Sequence, residues 1–383
     1  MKINLVGPSY PFRGGIANFN DSLFSALGKN HDVGITGFSL QYPSLLFPGK
    51  SQFEKDGPKV STESERLINT INPLSWHTTA GRIAKAKPDC IIVHYWMPFF
   101  APALGSIIRG VKRRINTTVI GVLHNIKPHE TMIGGKWLNK YFLKSCDGFI
   151  TMSSAVQDEL ENLGINKPAK QIPHPVYDIF GESVSRKDAI DYLDLDTEQN
   201  HLLFFGIIRS YKGLDLLIET FSSPRLSHLN LKLLVAGEFY ENEKKYLDMA
   251  EERGLGEKIV FTRSFVPREE VSCYFAASDL VVLPYLSATQ SGVTQIAYHF
   301  NKPVVVTNVG GLKEVVSHGV TGYVCEKDPD EIAAAIADFF ENNREAEFAE
   351  NIRSEKKRRF SWDSMARGIE DLTAEITGLS KML

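Results

Sequence analysis

The sequence predicts an α/β protein of two Rossmann-like, doubly wound domains. Three observations carry this. Short β-branched apolar runs alternate with helical patterns from the first residues, the alternation pauses once near the middle and restarts, and 383 residues exceed what one ordinary core accommodates. A composition that is 43% hydrophobic and 23% charged, without a low-complexity tract, is that of a packed globular chain.

Lys2 to Val6, Val33 to Phe38, Cys90 to His94, Thr118 to Leu123 and Gly148 to Met152 read as buried strands. Continuous apolar runs of this length, separated by helices, indicate a parallel sheet covered on both faces. Helices are expected at Ile16 to Leu27, Lys136 to Ser145 and Ser154 to Leu163, the last behind a Ser153/Ser154 cap. These elements make a first domain, residues 1–175. After Ile172-Pro-His-Pro-Val, the charged stretch 181–199 reads as a linker. Strands recur at Leu202 to Ile207, Leu231 to Ala236, Lys258 to Thr262, Leu280 to Leu283 and Val304 to Thr307. Helices between them at Leu214 to Phe221, Glu243 to Arg253, Arg268 to Ala277 and Val293 to Phe300 complete a second domain, residues 176–360. A capped amphipathic helix, Ser361-Trp-Asp-Ser followed by Met365 to Ile376, trails it. Open sheets of this kind bind ligands in a cleft at the carboxyl ends of their strands.

Several function classes are excluded early. Cys90, Cys146, Cys273 and Cys325 lie far apart with no CxxC or Cys/His spacing, which argues against a structural zinc or a disulfide framework and fits a reducing compartment. Met1-Lys-Ile-Asn-Leu-Val-Gly enters a short strand without the charged start or apolar length of a signal peptide, so a cytoplasmic protein is expected. The most apolar region, 91–108, is broken by His94, Pro98 and Pro102 and falls short of the roughly 20 residues of a spanning helix. The net charge of -3 hides an asymmetry, with 20 Lys+Arg against 12 Asp+Glu in residues 1–175 and 23 against 34 in the rest. A basic first half, with Arg109, Lys112, Arg113 and Arg114 close together, suits an anionic membrane or an acidic acceptor, and equally a solvated helix face. The basic residues are not interleaved with a nucleic-acid-binding motif, so no such partner is expected.

The first strand runs into Gly7-Pro-Ser-Tyr-Pro-Phe-Arg13-Gly14-Gly15 and then a helix, so Gly14 and Gly15 let backbone pass close to a ligand at a helix N-terminus. This is not GxGxxG, and no acidic residue closes the second strand as a dinucleotide site requires, which argues against a nicotinamide enzyme. His94 and His124 each end a buried strand, in Ile91-Ile-Val-His-Tyr-Trp and Gly121-Val-Leu-His-Asn, where a ligand is normally met. Arg13, His94 and Trp96 are the acceptor-side candidates. The aromatic segment from Tyr95 to Phe100 fits either a lipid-linked substrate or plain core packing. In the second domain the strand ending at Ile207 delivers Arg209-Ser-Tyr-Lys212, bracketed by Gly206 and Gly213. Two cations held there could stabilise a leaving diphosphate without a metal. Ser291-Gly292-Val293-Thr294 opens a helix after Val281-Val-Leu-Pro-Tyr, offering backbone N–H groups to a phosphate oxygen. Gly310-Gly311 reads chiefly as backbone geometry.

Taken in order, Gly14-Gly15, Gly206 with Arg209 and Lys212-Gly213, Gly237-Glu238, Pro303-Val-Val, Gly310-Gly311-Leu-Lys-Glu314, Gly322 to Val324 and Phe360-Ser-Trp-Asp resemble the family 4 glycosyltransferases over nearly the whole chain. The resemblance implies the GT-B fold, with an interdomain cleft and a C-terminal helix, about 361–383, packing back on the first domain. It implies a retaining transfer in which the second domain holds a nucleoside diphosphate sugar and the first a glycan or lipid-linked acceptor. Arg209, Lys212 and His124 become the catalytic candidates. The first two bind the diphosphate, His124 contacts the donor sugar, Gly14 and Gly15 approach sugar and phosphate, and backbone near Ser264, Phe265 and Val266 flanks the base. No metal or other cofactor is implied; the basic first half and the aromatic segment fit either a cytoplasmic protein or one placed peripherally on the inner face of the cell membrane.

The chain departs from its family at one point. Two glutamates eight positions apart normally precede the Pro-Val-Val strand, and those places hold Ala288 and Ile296. Neither ionises, so contacts to the ribose hydroxyls and the donor sugar must be absent or remade, with Gln290 and Gln295 as the candidates because amides both donate and accept. A sugar-nucleotide epimerase of the same fold and a non-catalytic nucleotide-sugar-binding homologue are the alternative readings.

Overall fold

In the computed structural model of the protein, residues 1–43, 51–53, 64–126, 134–177 and 180–378 are described. The described chain divides into two compact units, the first of residues 1–175 and 361–383, the second of residues 176–360. Residues 379–383 of the terminal helical segment lie outside the described residues.

Unit 1 begins with β1 (Lys2–Val6), α1 (Gly15–Leu27), β2 (Asp32–Leu40), β3 (Ser64–Asn69), α2 (Pro73–Ala86), β4 (Cys90–Tyr95) and α3 (Ala101–Lys112). It continues through β5 (Thr118–Leu123), α4 (Gly135–Leu143), β6 (Gly148–Thr151), α5 (Ser154–Asn162) and β7 (Ala169–Gln171). Among the described residues its sheet runs β3-β2-β1-β4-β5-β6-β7, with every pairing parallel. β4 and β5 are buried at every position, as strands covered on both faces require. Local signals set the helix starts. Asn72 accepts from the Leu74 amide with Pro73 at the first helical position, and Ser153 accepts from Val156. Asn139 reaches from α4 to the Ile126 carbonyl at 2.9 Å and accepts from the hydroxyl of Tyr95, whose ring stacks on Phe142 at 4.1 Å.

Unit 2 comprises α6 (Arg186–Tyr192), β8 (Asn200–Phe205), α7 (Leu214–Phe221), β9 (Leu231–Ala236), α8 (Lys244–Glu252), β10 (Ile259–Thr262) and α9 (Val271–Ala277). β11 (Leu280–Leu283), α10 (Gly292–His299), β12 (Val304–Thr307), α11 (Leu312–Val315), β13 (Gly322–Cys325), α12 (Pro329–Glu341) and α13 (Glu345–Arg359) follow. Its parallel sheet runs β10-β9-β8-β11-β12-β13. The chain then returns to unit 1 as α14 (Trp362–Thr377), whose first turn is capped by Ser361 accepting from Ser364. Trp362 sets its ring against Phe19 of α1, 5.0 Å between centroids, and Met365, Ile369 and Leu372 are buried along the same helix.

The structure corrects the linker reading of 181–199. Residues 186–192 form α6, capped by Ser185, and its Ala189 and Ile190 pack on Ala276 and Ala277 of α9 while Lys187, Asp188 and Asp191 face out. Two buried residues in seven are too few to show as a helical stripe. α3 was hidden for a different reason. Pro98 and Pro102 look like breakers, yet both sit in first turns, where no backbone N–H is needed. β3 is a charged edge strand, so it lacks the apolar run that marks its neighbours.

Candidate functional site

In both sheets the strand order reverses once, between β1 and β4 in unit 1 and between β8 and β11 in unit 2, and the crevice beyond such a reversal is where open α/β sheets hold ligands. In unit 2, the segment leaving β8 carries Gly206, Arg209 and Lys212, and the segment leaving β11 carries Pro284 to Ser291. The two are fastened together. The Leu286 amide donates to the Tyr211 carbonyl at 2.7 Å. Gly213 has φ 69, and a methyl group on it would lie 2.0 Å from the Pro284 carbonyl oxygen. Only glycine fits that backbone and that gap.

The two cations are thereby held before a ligand arrives. Arg209 lies over the Tyr240 ring at 5.4 Å, and the Lys212 ammonium lies 5.3 Å from the Tyr285 centroid. A methyl on Gly206 would lie 3.1 Å from Lys212 Nζ and 3.3 Å from Val293 Cγ2, which places the ammonium beside the first turn of α10. Burial is the main cause that lowers the Lys212 pKa, and the neighbouring Arg209 pushes the same way. A partly desolvated ammonium beside another cation favours an anionic partner.

Ser291, the N-cap of α10, turns its hydroxyl toward Tyr285 at 3.4 Å instead of capping the helix. Thr294 and Gln295 are buried, and the Thr294 hydroxyl and both amide atoms of Gln295 have no protein partner among the described residues. Each buried polar group left unmatched costs about 1–3 kcal/mol. Ala288 and Ile296 are buried too. The Gly311 amide donates to the Thr289 carbonyl at 3.0 Å, so the Gly310-Gly311 turn pins the segment that carries Ala288. Ser264, Phe265 and Val266 follow β10, with Ser264 exposed and Val266 buried.

In unit 1, Gly14 takes φ 115 at the N-cap of α1, and a methyl there would meet no atom within 4 Å among the described residues. The loop is anchored from behind by Asn20, whose amide donates to the Pro8 carbonyl at 2.9 Å. The Arg13 amide donates to the Gln52 carbonyl at 3.0 Å. His124 lies just past β5 and is 5% exposed, with its Nε2 3.0 Å from His94 Nδ1. Burial lowers its pKa well below the usual histidine value, and the neighbouring His94 and His174 add to this, so the ring is neutral at physiological pH. His94 and Trp96, the acceptor-side candidates beside Arg13, both have partners in the interior. His94 is fully buried, and Trp96 donates its Nε1–H to the Tyr42 hydroxyl at 2.9 Å and packs on Phe100 and Phe38. Both side chains are committed to the interior. Sequence reasoning gave no role to Tyr240, Phe19 or Tyr285, although Tyr285 closes the Val281-Val-Leu-Pro-Tyr run. Among the described residues no three His, Cys, Asp or Glu side chains could hold a metal ion, and no helix is long and apolar enough to cross a membrane.

Residues 185–359 match the sequence profile of the glycosyl transferases group 1, and residues 13–178 match that of glycosyltransferase family 4. An uncharacterized glycosyltransferase of Methanocaldococcus jannaschii is 26% identical over 392 residues, covering 96% of each chain. A D-inositol 3-phosphate glycosyltransferase of Paenarthrobacter aurescens is 27% identical over 341 residues, covering 84% of this chain and 82% of that one. Among solved structures, sucrose-phosphate synthase from Thermosynechococcus elongatus superposes with a TM-score of 0.75 at 17% identity, over 99% of this chain and 100% of that one. Anabaena HepE in complex with UDP gives 0.73 at 18%, over 98% and 100%. These likenesses show the GT-B fold.

Gly213→Ala should destabilise unit 2 by more than the about 1–3 kcal/mol of a left-handed non-glycine residue, because the clash with Pro284 is added to it. Calorimetry should show a clearly larger fall in Tm than for Gly254→Ala, where φ is 67 and a methyl meets nothing within 4 Å. Equal shifts would mean that the approach to Pro284 does not constrain the turn.

Proposed function

The chain belongs to the group 1, family 4 glycosyltransferases, and from that premise we propose that it moves a hexose-type sugar from a nucleoside diphosphate donor to a glycan or lipid-linked acceptor with retention of configuration. The observation that carries this reading is the pair of preset cations, Arg209 and Lys212, at the strand-order reversal of unit 2. The bond between the anomeric carbon and the distal phosphate oxygen breaks, and negative charge grows on the diphosphate. Arg209, Lys212 and the amides at the start of α10 stabilise that charge, without a metal. The anomeric carbon passes through an oxocarbenium-like state. The acceptor hydroxyl adds on the face the diphosphate leaves, and its proton passes to the departing phosphate oxygen. Preorganised charge supplies most of the acceleration. HepE, which shares the fold, is seen with UDP, which supports a nucleoside diphosphate as the leaving group.

In place of the family's two glutamates, the amides of Gln290 and Gln295 are proposed to meet donor hydroxyls. The unmatched amide of Gln295 supports this, since a bound polar molecule would offset its burial. His124 is assigned to the donor sugar, with Gly14 and Gly15 alongside. The loss of both carboxylates also supports a second reading, a homologue that binds nucleotide sugars without turning them over.

An anionic membrane is the proposed setting for the acceptor. α2, α3 and α4 lie side by side, α3 against both others, and none contains an Asp or Glu. Arg109, Lys112 and Arg114 are already engaged, with the Tyr141 ring, Asp147 and the Gly110 carbonyl respectively. On α4 and just beyond it, Lys136, Lys140 and Lys144 flank Trp137, which is 82% exposed, and Tyr141. Lysines beside exposed aromatic rings suit the interface of an anionic bilayer.

Arg209→Ala and Lys212→Ala should each lower kcat by about a hundredfold or more in a donor-hydrolysis or transfer assay, and unchanged turnover in either variant would remove the clamp. Tight donor binding with no turnover in any acceptor mixture would select the non-catalytic reading. In co-sedimentation, the protein should pellet with phosphatidylserine vesicles and not with neutral ones. Lys136→Ala/Lys140→Ala should weaken that binding by about tenfold, and equal recovery on both vesicle types would contradict the membrane proposal.

A further inference from the structure

Three histidines of unit 1 meet around one phenylalanine. The Phe19 ring stands edge-on to His94, His124 and His174, with centroid separations of 5.6, 4.9 and 5.0 Å. All three imidazoles are buried. β4 and β5 pair in parallel with His94 beside Val122, so His94 near the end of one strand and His124 just past the other come together, with Nδ1 of the first 3.0 Å from Nε2 of the second. One of these nitrogens carries the shared proton and the other accepts it.

The position of that proton follows from what surrounds His94. Its Nε2 is buried without a partner among the described residues. A buried N–H left without an acceptor is rarer in folded proteins than a lone pair left without a donor. The His94 proton therefore belongs on Nδ1, where it is donated to His124 Nε2. His124 must then keep its own proton on Nδ1. Gly7 makes the arrangement sterically feasible, because a methyl group on it would lie 2.8 Å from Cδ2 of His94 and push the ring out of line. Burial keeps His94 neutral, with its pKa pushed down to about 3, so the bond is one between two neutral rings.

We propose that His94 is a positioning residue whose Nδ1–H donates to His124 Nε2, fixing His124 as the Nδ1–H tautomer at one ring angle. The inference rests on the role proposed above for His124 at the donor sugar. A ring free to turn or to change tautomer would offer the sugar a donor in one molecule and an acceptor in another. A ring held by His94 offers one pattern throughout.

Histidine-selective 15N NMR of the full chain reads the His124 tautomer, and steady-state kinetics with the nucleotide-sugar donor separate kcat from KM. His94→Asn keeps an N–H donor close to the place of Nδ1, and His94→Phe keeps the bulk with no donor. Wild type and His94→Asn should show His124 protonated on Nδ1. His94→Phe should show a mixture of tautomers, with kcat lowered about 10- to 100-fold and donor KM near its wild-type value. Gly7→Ala, which retains every imidazole nitrogen and displaces the His94 ring, should shift the His124 signals in the same direction, and it replaces His94→Phe should that variant not fold. An unchanged His124 tautomer in both His94→Phe and Gly7→Ala overturns the proposal. A changed tautomer with unchanged kcat upholds the hold of His94 on His124 and instead removes His124 from the transfer step.

Discussion

The close passage of Gly213 against the Pro284 carbonyl is the constraint on which the unit 2 site depends. It brings the segment after β8 onto the segment after β11, the two strands that flank the reversal of strand order. With the Leu286 amide bonded to the Tyr211 carbonyl, the turn from Arg209 to Gly213 cannot swing. Its two cations are consequently in place ahead of any substrate. A site that must reorganise charge during reaction loses much of the benefit that fixed dipoles and charges confer. Tyr240 and Tyr285 give each cation an aromatic neighbour that orients it.

A corresponding logic operates in unit 1, with aromatic packing in place of a backbone clasp. Phe19 touches the rings of His94, His124, His174 and Trp362, so one α1 side chain links two strand ends, the segment closing the sheet and the returning helix α14. α1 is also the helix that follows the Gly14-Gly15 turn. The apolar centre that stabilises the unit thus adjoins both His124 and the helix that follows the Gly14-Gly15 turn. Exposed pairs such as Lys29 with Asp363 and Lys170 with Asp371 add little beside that burial.

Much of this was legible in the sequence where burial imposes a repeating pattern. The central strands, from Cys90 to His94 or Leu280 to Leu283, are apolar at nearly every position because both faces are covered, and their places were plain. Gly14-Gly15 and Arg209 to Gly213 were legible because strand-to-helix turns demand particular residues. Charged edges and short helices were not: β3 and α6 each bury too few residues to produce a period. His94 and Trp96 show a different limit. A strand-end position indicates that a side chain can face a ligand, but not whether a neighbouring strand has already claimed it. The His124 ring and the Tyr42 hydroxyl made those claims, and both depend on three-dimensional pairing.

Ala288 and Ile296 stand where the family resemblance expects two carboxylates, so neither place holds an ionisable side chain. Carboxylates bind hydroxyl pairs strongly as acceptors, whereas an amide offers one donor side and one acceptor side, so under the proposed function donor binding would rest more on Arg209 and Lys212 than it would beside two glutamates. The most direct measurement is a thermal-shift titration of the full chain with UDP, GDP and ADP, run in parallel on Arg209→Ala. Stabilisation by one nucleotide, rising with its concentration and abolished in the variant, is the predicted result. Stabilisation of equal size in Arg209→Ala, or none with any of the three nucleotides, would contradict a diphosphate site at the β8–β11 reversal.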